Sequence, residues 1–239
     1  MSFGKKLCVI ILSLVLLVTP LCVFGSAANI VTCDNAKKIF DFLVDEMGLN
    51  SAAASGVLAN IEAESNFNPN LSGDSGSSFG ICQWHAGRFD NLKSFCAKNS
   101  YDYKSLEGQL RYLEYELTEK KSDTGYILDK LNVENTAEGA YTAAYNWCYY
   151  FERPSNKADK SVKRGNNAKN NYWPVYKIEY TAGDVNSDGR IDSADALLVL
   201  NASVGKINLT RAQALAADYN ADGVIDSADA LAILRLSVK

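Results

Sequence analysis

Residues 56–69 read GVLANIEAESNFNP, and this stretch decides how the first part of the chain folds. From Ala52 onward Ala, Gly and Ser crowd around Val57, Leu58 and Ile61, the composition of a helix packed closely on several sides. Asn50 or Ser51 can cap its start by accepting from an unpaired backbone N–H, and Pro69 is a breaker beyond its end. The expected helix is therefore central and runs from Ala52 to about Glu64. It closes on two carboxylates, Glu62 and Glu64. Side chains two apart on a helix project roughly 160–200° from each other, so only one of them can face a given cleft. Both flank the Val57, Leu58 and Ile61 stripe, one on each side, and periodicity does not choose between them.

N-terminal to this helix, Ile39, Phe42, Leu43 and Met47 mark an earlier one that Gly48 is placed to end. Downstream, Leu106, Leu110, Leu113 and Leu117 recur at helical spacing, and Asn135 with Glu138 spells a capping box before an apolar helix reaching Phe151. Between these lies SGDSGSSFGICQW at 72–84, too rich in Gly and Ser for helix and suited to a short β-hairpin or irregular turn. The fold class is α+β: a mostly helical unit with a small β-hairpin. A carboxylate that ends a buried helix just before such a loop suggests a general acid, because partly apolar surroundings raise a carboxyl pKa enough to keep its proton near neutral pH.

With 239 residues, the chain has room for a second, smaller unit. Its start reads as a signal peptide over 1–28: Lys5 and Lys6, an apolar run at 7–18, then Gly25, Ser26, Ala27 and Ala28. The run is shorter than the roughly 20 residues that span a bilayer, so no membrane span is expected after signal cleavage. Cys22 is preceded by Leu21 rather than a small residue, which argues against a lipoprotein. The mature protein is expected to be secreted and extracellular. Cys33, Cys82, Cys96 and Cys148 would remain, an even number that an oxidising exterior could pair in three ways, and their spacing argues against zinc. The net charge is −4, and no nucleic-acid partner is expected. The stretch 153–177 is nevertheless basic (Arg153, Lys157, Lys160, Lys163, Arg164, Lys169 and Lys177 against Asp159). It reads either as a solvated helix face or as a patch drawn to an anionic polymer such as a cell wall.

At the other end GDVNSDGRIDSADALLVL from Gly183 returns as ADYNADGVIDSADALAIL from Ala217, so that Asp184 reappears 34 positions later as Asp218. Each copy follows D-x-N-x-D-G-x-x-D-x-x-D, and hard Ca²⁺ takes six to eight oxygens from ligands spaced around such a loop, with Gly at the sharp turn. In the first loop Asp184, Asn186, Asp188, the carbonyl of Arg190, Asp192 and Asp195 are the expected ligands, with Gly189 turning. In the second these are Asp218, Asn220, Asp222, the carbonyl of Val224, Asp226 and Asp229, with Gly223 turning. Two calcium ions are implied.

Both loops close with Asp rather than Glu, and the first lacks a convincing entering helix. Over 182–239 the chain resembles a type I dockerin, a small all-α module of two calcium-binding loop-helix repeats. The resemblance implies that calcium folds the module and that its repeated helices bind a cohesin domain on a scaffolding protein, within a cellulosome-like complex. Carried over by position, the partner-reading residues are Ser193, Ala194, Leu200 and Asn201, and Ser227, Ala228, Leu234 and Arg235. The near identity of the copies implies docking in two orientations, and the unlike Asn201 and Arg235 could favour one.

Upstream, Glu64-Ser65 followed by a Gly-rich loop and Gly80-Ile81-Cys82-Gln83 is similar to the Glu-Ser and Gly-x-x-Gln motifs of lysozymes and lytic transglycosylases. More narrowly, GVLANIEAESNFNP, SSFGICQWHAGR (77–88) and YYFERP (149–154) resemble the phage tail lysozyme type of peptidoglycan hydrolase, with the domain placed at 33–177. That resemblance implies a lysozyme-like fold, the glycan of peptidoglycan as substrate, and Glu64 as proton donor. Asp74 is then the candidate second carboxylate, with an ordinary turn residue as the alternative reading. Gln83 and Trp84 are candidate substrate-binding residues, although Gln83 could brace the loop and Trp84 could equally be core. His85 is the only histidine, a Cys82–His85 peptidase is a distinct and less favoured class, and Glu152 with Arg153 reads foremost as a structural ion pair. The leading expectation is a muramidase cutting the β-1,4 bond between N-acetylmuramic acid and N-acetylglucosamine. A lytic transglycosylase on the same bond, a non-catalytic wall-binding module and a purely architectural cohesin ligand are the competing ones.

Overall fold

The computed structural model of the chain describes residues 28–119 and 126–237. The signal peptide assigned to 1–28 lies outside the described residues except for Ala28, which opens α1 (Ala28–Val31). Val31 is buried in the main core, and its carbonyl accepts from Tyr176 Oη at 2.6 Å.

Helix α2 (Asp34–Asp41) runs on as a π-helical turn over Phe42–Glu46. Gly48, at φ +70, closes it, and Leu49 N donates to Leu43 O at 3.0 Å. Helix α3 (Ser51–Ser65) follows and is buried along nearly its whole length. Two caps hold its start: Asn50 accepts from Ala53 N at 2.9 Å, and Asn135 Oδ1 accepts from Ala52 N at 3.0 Å. Asn135 therefore serves α3 rather than the helix that follows it, and the expected Asn135–Glu138 box does not form. Thr136 caps α7 (Ala137–Asn146) through Gly139 N, and Glu138 pairs with Lys169.

Close packing explains the small residues of α3. A methyl group on Gly56 would sit 2.6 Å from Ala144 N and 2.7 Å from Ala143 Cβ, so α3 and α7 meet at backbone distance here. After α3 come three two-residue strands, β1 (Ser72–Gly73), β2 (Ser78–Phe79) and β3 (Trp84–His85). They form one antiparallel sheet in the order β1-β2-β3, pairing Gly73 with Ser78 and Ser78 with His85. The expected hairpin is thus a three-stranded miniature sheet.

Helices α4 (Gly87–Lys98), α5 (Leu106–Thr118) and α6 (Ile127–Leu131) lead to α7, which extends as a π-helical turn over Trp147–Glu152. Helix α8 (Lys157–Asn167) likewise extends over Ala168–Tyr172 into α9 (Trp173–Tyr176). These elements share one core that includes Trp84, Tyr112, Trp147 and Tyr172.

A second core gathers Val185, Ala196, Val199, Ala216, Ala217, Ala230 and Ile233. Its helices are α10 (Ser193–Ser203), α11 (Arg211–Ala217) and α12 (Ser227–Ser237). The buried pairs Ala196/Ala230 and Val199/Ile233 occupy equivalent places in the two repeats. Helix α11 enters the second loop, whereas the first is entered by a turn. The two units touch at Arg211, whose Nε donates to Asp45 Oδ1 at 2.8 Å and whose Nη2 donates to Asp41 Oδ1 at 3.2 Å. The same guanidinium lies over the Phe40 ring, 5.5 Å from its centre.

Candidate active site and the repeated loops

The C-terminal end of α3 is built one helical turn at a time. Asn60 is buried and donates to Gly56 O and Ala144 O at 2.9 and 3.0 Å, so its amide oxygen is left to accept. That oxygen takes Arg164 Nη1 at 3.0 Å, and Arg164 Nη2 reaches Glu64 Oε1, one turn further along α3, at 2.5 Å. The Arg164 side chain is 9% exposed and that of Glu64 18%, so the pair sits at the rim of the core with the carboxylate toward solvent. Glu62 also meets the crossing segment, accepting from Asn167 Nδ2 at 2.6 Å. The two carboxylates are thus bound three residues apart on α8, Glu64 by a charged donor and Glu62 by a neutral one.

Ser65 ties this helix end to the sheet. Its hydroxyl lies 2.9 Å from Ile81 O and 3.1 Å from Ile61 O. Gly80, at φ +80, would put a methyl group 2.5 Å from the Gln109 amide, so only glycine fits there. Gln109 in turn accepts from Ile81 N at 2.9 Å and donates to Pro69 O at 2.7 Å. Gln83 donates to Leu71 O and Gly80 O at 3.1 and 2.9 Å. The Glu-Ser pair and the Gly-x-x-Gln turn are therefore one hydrogen-bonded unit that fixes the loop beside Glu64.

Behind them lies a cluster of charges. Arg88 binds Glu116 through two bonds of 2.8 and 2.9 Å, and Trp84 Nε1 donates to the same carboxylate at 2.9 Å. Glu152, at the end of the π-helical turn, accepts from Trp147 Nε1 at 2.8 Å. Burial first, and then the charge of Glu64, push Glu152 up to about 8 from 4.5, so it holds a proton at neutral pH. Glu152 does not pair with its neighbour: Arg153 Nε donates to Tyr150 O at 2.7 Å. The four cysteines are free thiols, and burial pushes up those of Cys82, Cys96 and Cys148.

The repeated loops share most of their bonds, with one difference: Val185 N donates to Asp195 Oδ1 at 2.8 Å, whereas the equivalent Tyr219 N donates to Ala217 O at 2.9 Å. Asp184 accepts from Asp188 N and Gly189 N at 3.1 and 3.0 Å, and Asp218 accepts from Asp222 N and Gly223 N at the same distances. Asp195 takes Asn186 N at 3.0 Å and Asp192 N at 2.9 Å, as Asp229 takes Asn220 N at 3.1 Å and Asp226 N at 3.0 Å. Gly189 and Gly223 turn at φ +83 and +84. Asp195 and Asp229 are fully buried, and among the described residues no ion pair reaches any carboxylate of either loop.

Residues 34–174 match the phage tail lysozyme family, which spans more than half of the chain. The chain belongs to that family. Residues 182–236 match the dockerin type I domain, so a phage tail lysozyme domain is followed by a type I dockerin domain. No curated protein matches the chain.

Within the lysozyme domain, the expected site residues separate. Glu64 stands at the rim, as described. Asp74 lies on the turn after β1 with its side chain 72% exposed, held by Ser78 Oγ at 2.6 Å. Gln83 is committed to the loop carbonyls. The sugar-stacking expectation for Trp84 is corrected: the ring is fully buried, edge-on to Tyr112, and its N–H is taken by Glu116, so no face reaches a ligand. The Cys82–His85 pairing is also corrected, because the thiol is buried and His85 Nδ1 instead lies 3.1 Å from Ser78 Oγ. Sequence reasoning missed Arg164 and the role of Glu152. A signal for the first was present: a buried Asn one helical turn before a Glu, on the face of Gly56, calls for a single two-pronged donor. Nothing in the sequence marked Glu152 as the proton-bearing group.

Type I dockerins usually bind calcium, and the loop residues fit that ion. Their donors are hard oxygens, and the Asp195 and Asp229 side chains are fully buried with no ion-pair partner among the described residues. Counting only His, Cys, Asp and Glu, no group of three among the described residues converges on a metal position. The expected set differs in kind, since it includes Asn186, Asn220 and the carbonyls of Arg190 and Val224. The partner-reading positions Ser193, Ala194, Leu200, Ser227, Ala228 and Arg235 are exposed, while Asn201 and Leu234 are partly buried. Leu197 and Leu231, equivalent in the two repeats, are exposed at 58% and 49% and enlarge this surface.

Proposed function

We propose that this protein is a secreted muramidase that hydrolyses the β-1,4 bond between N-acetylmuramic acid and N-acetylglucosamine in peptidoglycan, and that its dockerin anchors it to a cohesin-bearing scaffold. The observation that carries the reading is Glu64: a rim carboxylate at the end of a rigid buried helix, gripped by Arg164 and set beside a loop pinned through Ser65. Rigid placement of this kind is what proton donation to a leaving oxygen requires.

Glu64 is ion-paired with Arg164, while Glu152 in the same charge cluster holds a proton at neutral pH. On this reading, incoming glycan takes over hydrogen bonds of Arg164, and Glu64 takes a proton from water and delivers it to the glycosidic oxygen. Asp74 is the second carboxylate, activating water or stabilising positive charge on the sugar ring.

In the dockerin, Asp184, Asn186, Asp188, Asp192, Asp195 and the Arg190 carbonyl would hold one calcium ion. Asp218, Asn220, Asp222, Asp226, Asp229 and the Val224 carbonyl would hold a second. When bound, calcium would offset the charge of these gathered carboxylates, and the loops would be fixed against their helices. The faces carrying Ser193, Ala194, Leu200 and Asn201, and Ser227, Ala228, Leu234 and Arg235, then meet the cohesin.

The test is mass spectrometry of purified peptidoglycan incubated with the protein and with Glu64→Gln. Reducing-end muropeptides that fall by about 10²–10⁴ in rate with the variant are expected. Anhydro products would replace hydrolysis with transglycosylation, and binding without products from the unaltered protein would leave a wall-binding module.

A further inference from the structure

Asp74, Ser78 and His85 form a line across the miniature sheet. Ser78 Oγ lies 2.6 Å from Asp74 Oδ2 and 3.1 Å from His85 Nδ1, and the histidine nitrogen stands 3.8 Å from the same carboxylate oxygen. A hydroxyl has one proton to donate and a carboxylate only accepts, so the Ser78 proton goes to Asp74. Oγ then accepts from His85 Nδ1–H, which selects that tautomer of the ring. The strand register aligns the three, since Ser78 pairs with Gly73 on one side and with His85 on the other. The middle of the chain is buried, Ser78 being 2% exposed, while the side chains of His85 and Asp74 are 61% and 72% exposed.

The direction of donation rules out a serine nucleophile, which would give its proton to the histidine and stand open to substrate. It suits a carboxylate that has to be held still. The backbone carrying Asp74 is itself costly: Asp74 and Ser75 are successive non-glycine residues at φ +47 and +57. Such strain persists only where surrounding bonds over-determine it, and the Ser78 hydroxyl bonds Asp74 at that point.

We propose that Ser78 and His85 are positioning residues that hold the Asp74 carboxylate in the orientation needed for glycan cleavage. The inference rests on the reading of Asp74 as the second carboxylate, and the experiment separates the two. Turnover and KM would be measured on soluble peptidoglycan glycan chains for Asp74→Asn, Ser78→Ala, Ser78→Thr and His85→Ala, each with its melting temperature. Expected are a large loss of turnover for Asp74→Asn, a loss of about tenfold for Ser78→Ala and for His85→Ala with KM little changed, retention by Ser78→Thr, and partial recovery of His85→Ala on adding imidazole. His85 is exposed, so its variant tests the idea even if a Ser78 variant folds poorly. Full turnover in both Ser78→Ala and His85→Ala beside an impaired Asp74→Asn would overturn the positioning role alone. A loss in His85→Ala that imidazole does not restore, accompanied by a lowered melting temperature, would reduce the chain to a sheet brace and overturn it too. Full activity of Asp74→Asn would remove the reading of Asp74 and the proposal with it.

Discussion

Around the end of α3, Glu64 and the buried Glu116 of α5 are balanced by Arg164 and Arg88, whereas the carboxylates of the repeated loops are held by backbone N–H groups and, at Asp188 and Asp222, by the neutral amides of Asn186 and Asn220. The first arrangement is complete within the protein and exists once. The second leaves two fully buried carboxylates, Asp195 and Asp229, with no ion-pair partner among the described residues, and it exists twice. Self-contained charge pairing makes a site whose loss is local and severe. Charge left for an ion to balance, as proposed for calcium here, would make a module whose folding follows solution conditions.

The sharpest way to break the contrast is chelation. Removing calcium is expected to unfold 182–237 while the lysozyme domain stays folded, seen as loss of part of the far-UV circular dichroism with retained glycan cleavage. A single cooperative loss of all structure would show that the units depend on each other. Next in size is Arg164→Ala, which leaves Asn60 Oδ1 and Glu64 without their shared donor. Breaking a buried pair costs about 3–5 kcal/mol, and the lower end is expected because Glu64 keeps some exposure. Denaturant unfolding measures it, and a change under about 1 kcal/mol would place the pair among weak surface bridges.

Gly56→Ala should cost about 1–3 kcal/mol by overpacking α3 against α7, since the new methyl group meets backbone at 2.6 Å. The remaining effect is a slope. Glu152 is pushed up from 4.5 to about 8, so between those values the unfolded chain gives up a proton that the folded one keeps. Stability contributed by this group is therefore full below about pH 4.5, declines as pH rises to about 8, and is flat beyond. Glu152→Gln should flatten that decline in a series of melting curves, and an unchanged slope would assign it to another group.

How far the sequence carried the reading follows the same division. The two loops and their turns at Gly189 and Gly223 were legible from the repeat, because a twelve-residue loop is a local pattern. The helix of Glu64 was legible from its small residues, and the hairpin from Gly and Ser at 72–84. What the sequence hid was long-range: Arg164 lies a hundred residues from Glu64, and its place in a basic run disguised it as a solvated face. Trp84 was ambiguous for the same reason, since its buried partner Glu116 comes from α5. Even the capping error at Asn135 was one of distance, for that side chain had been lent to a helix 83 residues away.

One contact changes how the whole chain would behave on a scaffold. Arg211 of α11 grips Asp41 and Asp45 and covers Phe40, so the dockerin is clasped to the lysozyme domain as well as joined to it by a short connection. A free linker would let the enzyme sweep a sphere around its anchor, with an effective concentration set by chain length. A clasped one holds a fixed bearing. The sugar strands within reach would then be chosen by how the scaffold lies against the wall, and raising the salt concentration, by loosening the grip of the partly exposed Arg211, would widen that choice.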